Sequence, residues 1–303
     1  MIELQNIKLS FSSKTVLNDI SETFHQGEVI GLVAPNGTGK STLMNVMMNY
    51  VAPNSGKVIF ENGLTYSSKA NEVKIHQLIS MMPDQSDLYN HLSGRDHLKI
   101  YCTMWKSDSK LIDTTIAALN MGHYVNKKAG TYSLGMRQRL CFAMQIVANT
   151  EIMLMDEVMN GLDPINVEII SNVLMEKKAE GKMIIIASHL LDNLEKYADR
   201  LFLFKDGKLM DVDDIVEGFS EPTMTTVRVK NMSSDVKVAF QTRYPTIALQ
   251  TLVNDTTLLT LDKKDAETLG SMTAYLAELQ VNDFTFGKIT LNDLYAMYYG
   301  EES

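Results

Sequence analysis

The chain has 303 residues, with 28 Lys and Arg against 37 Asp and Glu, so its formal charge is −9 and its pI about 5.2. That acidity excludes nucleic acid as a partner, because a phosphate backbone needs a basic face, but it leaves open a mononucleotide held by backbone N–H groups and one or two lysines. Hydrophobic residues at 45% and charged residues at 21% exclude disorder and fibrous repeats, and no apolar run reaches the ~18 residues of a membrane helix. The opening residues (MIELQN) lack the basic and apolar segments of a secretion signal, which gives the expectation of a cytosolic protein.

Residues 28–33 (EVIGLV) are a short apolar run ended by Pro35, Asn36 and Gly37, hence a buried strand followed by a turn. Helical spacing takes over at 41–50. It returns across 93–120, where Leu98, Tyr101, Cys102 and Trp105 stand at i, i+3, i+4 and i+7. A further helix opens near Ser133 and runs to about residue 149, followed directly by an apolar strand at 152–155. Residues 183–187 and 201–204 are two more strands. Strands that alternate with helices predict an α/β fold containing a parallel sheet. The acids and glycine of 211–220 (DVDDIVEGFS), with Pro222 after them, predict a linker.

Beyond the linker the alternation resumes: strand 225–230, helix 234–243, two strands within 247–261, helix 266–279 and strand 283–288. A closing helix carries Leu291, Leu294, Tyr295 and Tyr298, which read as core residues. The pattern is that of a small α+β accessory domain. Cys102 and Cys141 have neither metal-ligand nor redox spacing and read as small buried apolar residues, and the 20 methionines fit an adaptable core.

The chemistry is concentrated in three places. Residues 34–42 (APNGTGKST) lie between a predicted strand and a predicted helix, the arrangement a phosphate cradle needs. Gly37 and Gly39 let the backbone curl so that several N–H groups converge on the β-phosphate, with Asn36, Thr38 and Thr42 among the binding residues, and the helix N-terminus adds its partial positive charge. Lys40 reaches the β- and γ-phosphates, and the Ser41 hydroxyl can ligate Mg²⁺. Ala34 stands where a P-loop usually opens with glycine, a departure tolerated if φ there is negative. The strand at 152–155 then delivers Asp156, suited to the Mg²⁺ shell of a P-loop enzyme, and Glu157, suited to orient and polarise a water. Between them, residues 132–139 (YSLGMRQR) taken alone are a Ser-capped helix start.

Together these residues resemble the ATP-binding subunits of ABC transporters. Ser133, Gly135 and the Arg-Gln-Arg that follows look like a variant of the family's Leu-Ser-Gly-Gly-Gln signature, at the family's spacing before Asp156. Residues 160–164 (NGLDP) match the D-loop with Asp163, His189 matches the switch histidine, and Phe11 matches the aromatic on which adenine stacks. The resemblance covers roughly residues 1–215. It implies a P-loop NTPase fold of ABC type, with a mixed sheet core and a helical subdomain at about 84–148, ahead of an accessory domain at 216–303. It also implies ATP and Mg²⁺ as ligands and a head-to-tail dimer, with itself or with a paralogous ATP-binding subunit. In that dimer Ser133 would face the partner's γ-phosphate, and His189 would contact that phosphate in cis. As an isolated strand-end residue His189 would be structural, so its role rests on the resemblance.

Several positions depart from the family pattern. After Pro83 the chain has Asp84 where the Q-loop glutamine is usual, with Gln85 one later; Asp84 is either a Mg²⁺ ligand acting through water or a surface-turn acid. Leu134 and Met136 replace the usual Gly and Gln of the signature. None of these removes a contact assigned to Lys40, Ser133 or Glu157, so ATP hydrolysis is expected. Residues 92–98, the signature, and the closing segment from Ile289 to Gly300 resemble exporters of the antibiotic- and bacteriocin-peptide resistance type. A separate integral-membrane permease would then dock beside residues 84–92, where Leu88 and Tyr89 are either anchors or core, and hold the subunit on the inner face of the membrane. The rival reading is a soluble mechanochemical ABC ATPase, disfavoured by a single P-loop and the lack of heptads. A small-metabolite kinase fails on the signature and switch histidine.

Overall fold

The computed structural model describes residues 1–189, 194–219, 224–252, 255–262, 266–281, 283–287 and 289–299. The chain divides into two compact units, Met1–Leu209 and Met210–Ser303, a division somewhat before the expected boundary at 215/216.

The first unit runs β1 (Ile2–Phe11), β2 (Lys14–Phe24), β3 (Val29–Val33), α1 (Lys40–Met47), β4 (Ser55–Phe60), α2 (Lys69–Leu78), β5 (Ile79–Met81), α3 (Gly94–Trp105), α4 (Lys110–Ala118), α5 (Leu134–Ala148), β6 (Ile152–Asp156), α6 (Pro164–Ala179), β7 (Met183–Ser188) and β8 (Arg200–Lys205), with β9 (Lys208–Asp211) straddling the division. Two sheets result: an antiparallel one of order β2-β1-β4, and a six-stranded one of order β5-β6-β7-β3-β8-β9. In the larger sheet β5, β6, β7, β3 and β8 pair in parallel. Its central strands VIGLV, IMLMD and MIIIAS are buried almost throughout, as strands covered on both faces must be.

That parallel pairing decides where the site is. Val33 is opposite Ser188, and Asp156 is opposite Ala187, so the C-terminal ends of β3, β6 and β7 open on one edge. Ligand sites of open α/β sheets form at this edge.

The expected continuous helix across 93–120 is two helices. Lys106 turns left-handed at φ 56 and Ser107 N–H closes back on the Cys102 carbonyl (3.0 Å), a glycine-type helix stop made without glycine. Asp108 Oδ1 then accepts from the Lys110 N–H (2.9 Å) and starts α4. The expected linker at 211–220 is also corrected. Asp211 ends β9 and Val212–Phe219 is a helix, started by Asp211 Oδ1 accepting from the Asp213 N–H (2.9 Å). Asp213 and Asp214 fall in the first turn, where the helix dipole favours them, and Val212, Ile215, Val216 and Phe219 stand at i, i+3, i+4 and i+7. Ser220 and Pro222, the rest of that expectation, lie outside the described residues, as do Lys288 and Gly300.

In the second unit β10 (Met224–Lys230), a helix (Ser234–Arg243), β11 (Ala248–Thr251), β12 (Thr256–Asp262), a helix (Ala266–Glu278) and β13 (Phe284–Gly287) make an antiparallel sheet of order β11-β12-β10-β13, the split βαβ topology. Val227, Val229, Phe240, Leu259, Met272 and Leu276 are its fully buried core. The closing helix (Leu291–Tyr299) buries Leu291, Leu294 and Tyr299 and leaves Tyr295 and Tyr298 half-buried. Its Asp293 accepts from Arg228 Nε (3.0 and 2.7 Å) and from the Thr290 N–H and hydroxyl (2.8 and 2.7 Å).

Candidate active site

The loop between β3 and α1 curls through two glycines with positive φ, +79° at Gly37 and +123° at Gly39. Gly39 is needed twice over: a Cβ there would stand 2.9 Å from Phe204 Cε1 and 3.0 Å from Val16 Cγ1. Ala34 is buried and does not require positive φ, so the missing first glycine costs the turn nothing. Thr38 Oγ1 donates to the Pro35 carbonyl (3.0 Å) and stiffens the curl. Lys40 is buried inside it, its ammonium donating to the carbonyls of Ala34 (2.6 Å) and Pro35 (2.9 Å). Burial pulls its pKa below the usual lysine range, against the opposing charges of Glu157 and Asp156. Asn36 and Gly37 are exposed at the tip, and Ser41 and Thr42 open α1.

The neighbouring strand ends meet this loop. The Ser41 hydroxyl donates to Asp156 Oδ2. One residue on, Glu157 turns left-handed (φ 51), its N–H held by the Ala187 carbonyl of β7 (2.9 Å). His189 Nδ1 lies 2.9 Å from Glu157 Oε1, while Glu157 Oε2 is buried without a hydrogen-bond partner among the described residues. Thus Lys40, Ser41, Asp156, Glu157 and His189 form one constellation.

Other predicted residues stand elsewhere. Ser133 caps α5, accepting from the Met136 N–H (3.3 Å), and is exposed; beside it Leu134 is 61% exposed. Gly135 packs 3.5 Å from the Gly161 carbonyl, measured from an ideal Cβ, so the signature turn and the D-loop are adjacent. Asp163 caps α6 by accepting from the Asn166 N–H (2.9 Å). Phe11, half exposed, ends β1. Asp84 is committed locally: its carboxylate accepts from the Ser86 N–H (2.8 Å), and its own N–H donates to Asp87 (3.0 Å). The Ser86 hydroxyl first, and then the N–H groups of Ser86 and Gln85, hold its carboxyl below the usual range against a smaller opposing effect of burial. This geometry favours the surface-turn alternative, although Asp84 lines the same cleft as Asp156 and Glu157. Gln85 Nε2 donates to Gln138 Oε1 (2.5 Å). Leu88 is buried, the core alternative, whereas Tyr89 is 57% exposed.

Comparison with known proteins resolves what this constellation belongs to. The ABC transporter family profile matches residues 17–160. A lantibiotic transport ATP-binding protein of Streptococcus pyogenes is 33% identical over 210 residues, covering 69% of this chain and 89% of that one. The chain is a member of the ABC transporter ATP-binding family. A bacitracin transport ATP-binding protein of Enterococcus faecalis is 31% identical over 220 residues, 72% of this chain and 70% of that one. A solved ATP-binding subunit of an ABC transporter shares the fold at 21% identity with a TM-score of 0.66, covering 72% of this chain and 93% of that one. The protein is therefore an ABC ATPase, the nucleotide-binding, ATP-hydrolysing subunit of a transporter. Among its described residues no helix is long and apolar enough to cross a membrane.

One residue of this ABC ATPase escaped the motif reading. Gln138, buried in the first turns of α5, donates from Nε2 to the carbonyls of Glu157 (2.9 Å) and Val158 (3.0 Å). Its signal was present as the glutamine of Arg-Gln-Arg, but nothing in a linear string shows that its amide reaches the turn after β6. Cys102 and Cys141 are free and buried, and burial pushes the Cys141 thiol up to about 12, so it is inert.

Proposed function

We propose that this ABC ATPase cleaves the γ-phosphate of Mg²⁺–ATP at the edge of β3, β6 and β7, and drives a separate membrane permease that moves a peptide antibiotic or similar small molecule. The observation that carries the reading is the meeting of Ser41 and Asp156 beside Lys40 and the free Oε2 of Glu157. A hydroxyl and a carboxylate are the hard oxygen donors Mg²⁺ takes. When bound, the ion would neutralise charge on the phosphates.

The chain's own residues supply the rest. The N–H groups of residues 36–42 and the Lys40 ammonium bind the phosphate oxygens, and Phe11 offers a face for the adenine. Glu157 Oε2 is the acceptor for a proton of the attacking water. With the carboxylate ionised, His189 donates from Nδ1 to Oε1 and fixes the direction of that acceptor, leaving Nε2 for the γ-phosphate. Exposed Ser133, at the N-terminus of α5, suits a phosphate presented by a second subunit, and Asp163, capping α6, would belong to the D-loop at the dimer seam. On this reading residues 1–215 act as the ATP-binding domain, with a helical part at about 84–148, and 216–303 as an accessory domain.

For the permease, a cleft of about 640 Å³ runs beside residues 81–104, bordered by exposed Tyr50, Tyr89 and Met104 and by Asp84 and Asp87. Soft, adaptable apolar groups with an acidic rim suit an amphipathic helix carrying basic residues. The names of the lantibiotic and bacitracin transport relatives support a peptide antibiotic as cargo. Purified protein should hydrolyse ATP only with Mg²⁺, and Lys40→Ala should lose ATP binding by calorimetry; unchanged affinity would remove the phosphate role. Deletion of the protein should sensitise cells to a peptide antibiotic, and unaltered sensitivity across a lantibiotic and bacitracin panel would remove the cargo.

A further inference from the structure

Glu157 occupies a backbone region that residues with a Cβ keep only where neighbours over-determine it. Its N–H is held by the Ala187 carbonyl and its carbonyl by the Asn160 N–H (3.1 Å). The third hold comes from Gln138, whose Nε2 spends both hydrogens on the carbonyls of Glu157 and Val158 and whose Oε1 accepts from Gln85. Gln138 is 5% exposed, and its bond to the Val158 carbonyl is made away from solvent, while those to Glu157 and Gln85 are part-buried. None of these three bonds involves Lys40 or Ser41. Gln85, at its other end, lines the cleft beside Tyr89.

We infer that Gln138 is a positioning residue for hydrolysis: it clamps the left-handed turn that aims the Glu157 carboxylate, and ties that turn through Gln85 to the wall of the cleft. The inference rests on Glu157 being the general base. Gln138→Met has nearly the same length and no amide hydrogen, so it releases the Val158 carbonyl and one of two bonds to Glu157. Gln138→Glu keeps an acceptor for Gln85 but, ionised, donates nothing. Because a displacement of about 1 Å at a reacting group can cost about 100-fold, kcat of the full-length protein should fall about 10- to 100-fold in both variants. KM for ATP and calorimetric ATP affinity should stay within about twofold, since the phosphate loop is untouched.

A general loss of packing would lower ATP affinity along with kcat; a positioning role lowers kcat and leaves affinity in place, whatever the freed carbonyls cost in stability. Wild-type kcat in Gln138→Met overturns the inference, and so does a raised KM with kcat unchanged. If the Met variant does not fold, Gln138→Glu decides by the same two readouts. Glu157→Gln is measured in parallel. If it stalls while the Gln138 variants turn over normally, only the positioning role falls; if it too turns over normally, the general-base reading falls with it.

Discussion

Replacing Gly39 by alanine strikes the phosphate loop at the position with least room. An L-residue at φ +123° is strained by about 1–3 kcal/mol. The added methyl would meet Phe204 at 2.9 Å and Val16 at 3.0 Å, inside the roughly 3.5–4.0 Å of a relaxed carbon–carbon contact. Phe204 is fully buried in β8 and cannot swing aside, so overpacking adds about 1–3 kcal/mol more. The sum, about 2–6 kcal/mol, is relieved by moving the loop, and each 1.4 kcal/mol of lost complementarity is about tenfold in ATP affinity. Gly37→Ala is the control inside the same loop: φ is +79°, nothing lies within 4 Å of the new methyl, and only about 1–2 kcal/mol of backbone strain applies. Calorimetry of ATP binding together with thermal melting, at about 2–4 °C per kcal/mol for a unit of this size, separates the two. Gly39→Ala should lose ATP binding and melt lower than Gly37→Ala. Equal behaviour of the two variants, or a worse effect at Gly37, would refute the reasoning.

Because burial lowers the Lys40 pKa from 10.5, its ammonium is lost at a lower pH than that of an ordinary lysine, and ATP affinity should fall as pH rises toward 10.5. Lys40→Arg should lack that alkaline fall, and an identical profile in both proteins would dismiss the lysine as its source. In the second unit, Arg228→Met leaves Asp293, 7% exposed at its side chain, as an unpaired buried carboxylate and should destabilise that unit by about 3–5 kcal/mol. Arg228→Met with Asp293→Leu should recover most of it; chemical denaturation of the single and double variants checks this. Burial pushes the Asp293 carboxyl up, but the bonds from Arg228 and Thr290 outweigh it and hold it low. Its stabilisation is therefore full above the ordinary carboxylate pKa of about 3.9 and is lost as pH falls through the depressed value. Asp84→Ala should leave the Mg²⁺ dependence of hydrolysis unchanged, because the carboxylate serves the Ser86 N–H; a shifted dependence would restore it to the metal shell.

What was legible in the sequence was the part built from consecutive residues. The run EVIGLV followed by a glycine turn is a strand and a phosphate loop, and IMLMDE is a strand ending in two acids, whatever the rest of the chain does. The register that sets Asp156 against Ala187 and Val33 against Ser188 is a tertiary fact, and it is what brings Ser41, Glu157 and His189 to one edge. Local signals that compete with periodicity were harder to weigh. Lys106 ends a helix in a conformation usually left to glycine, and Asp213 and Asp214 look like linker acids although they open a helix. Gln138 was invisible for a different reason: its function depends on which carbonyls its amide meets, and those belong to a strand end nearly twenty residues away.

The central claim is that Glu157 takes the proton of the attacking water. Its most direct test is Glu157→Gln, followed by ATP turnover and by size-exclusion chromatography in Mg²⁺–ATP. The amide keeps the shape and cannot accept that proton, so hydrolysis should fall by about 100- to 10,000-fold while ATP stays bound and the subunit elutes as a dimer. Turnover at the wild-type rate, with no ATP-dependent dimer, would contradict it.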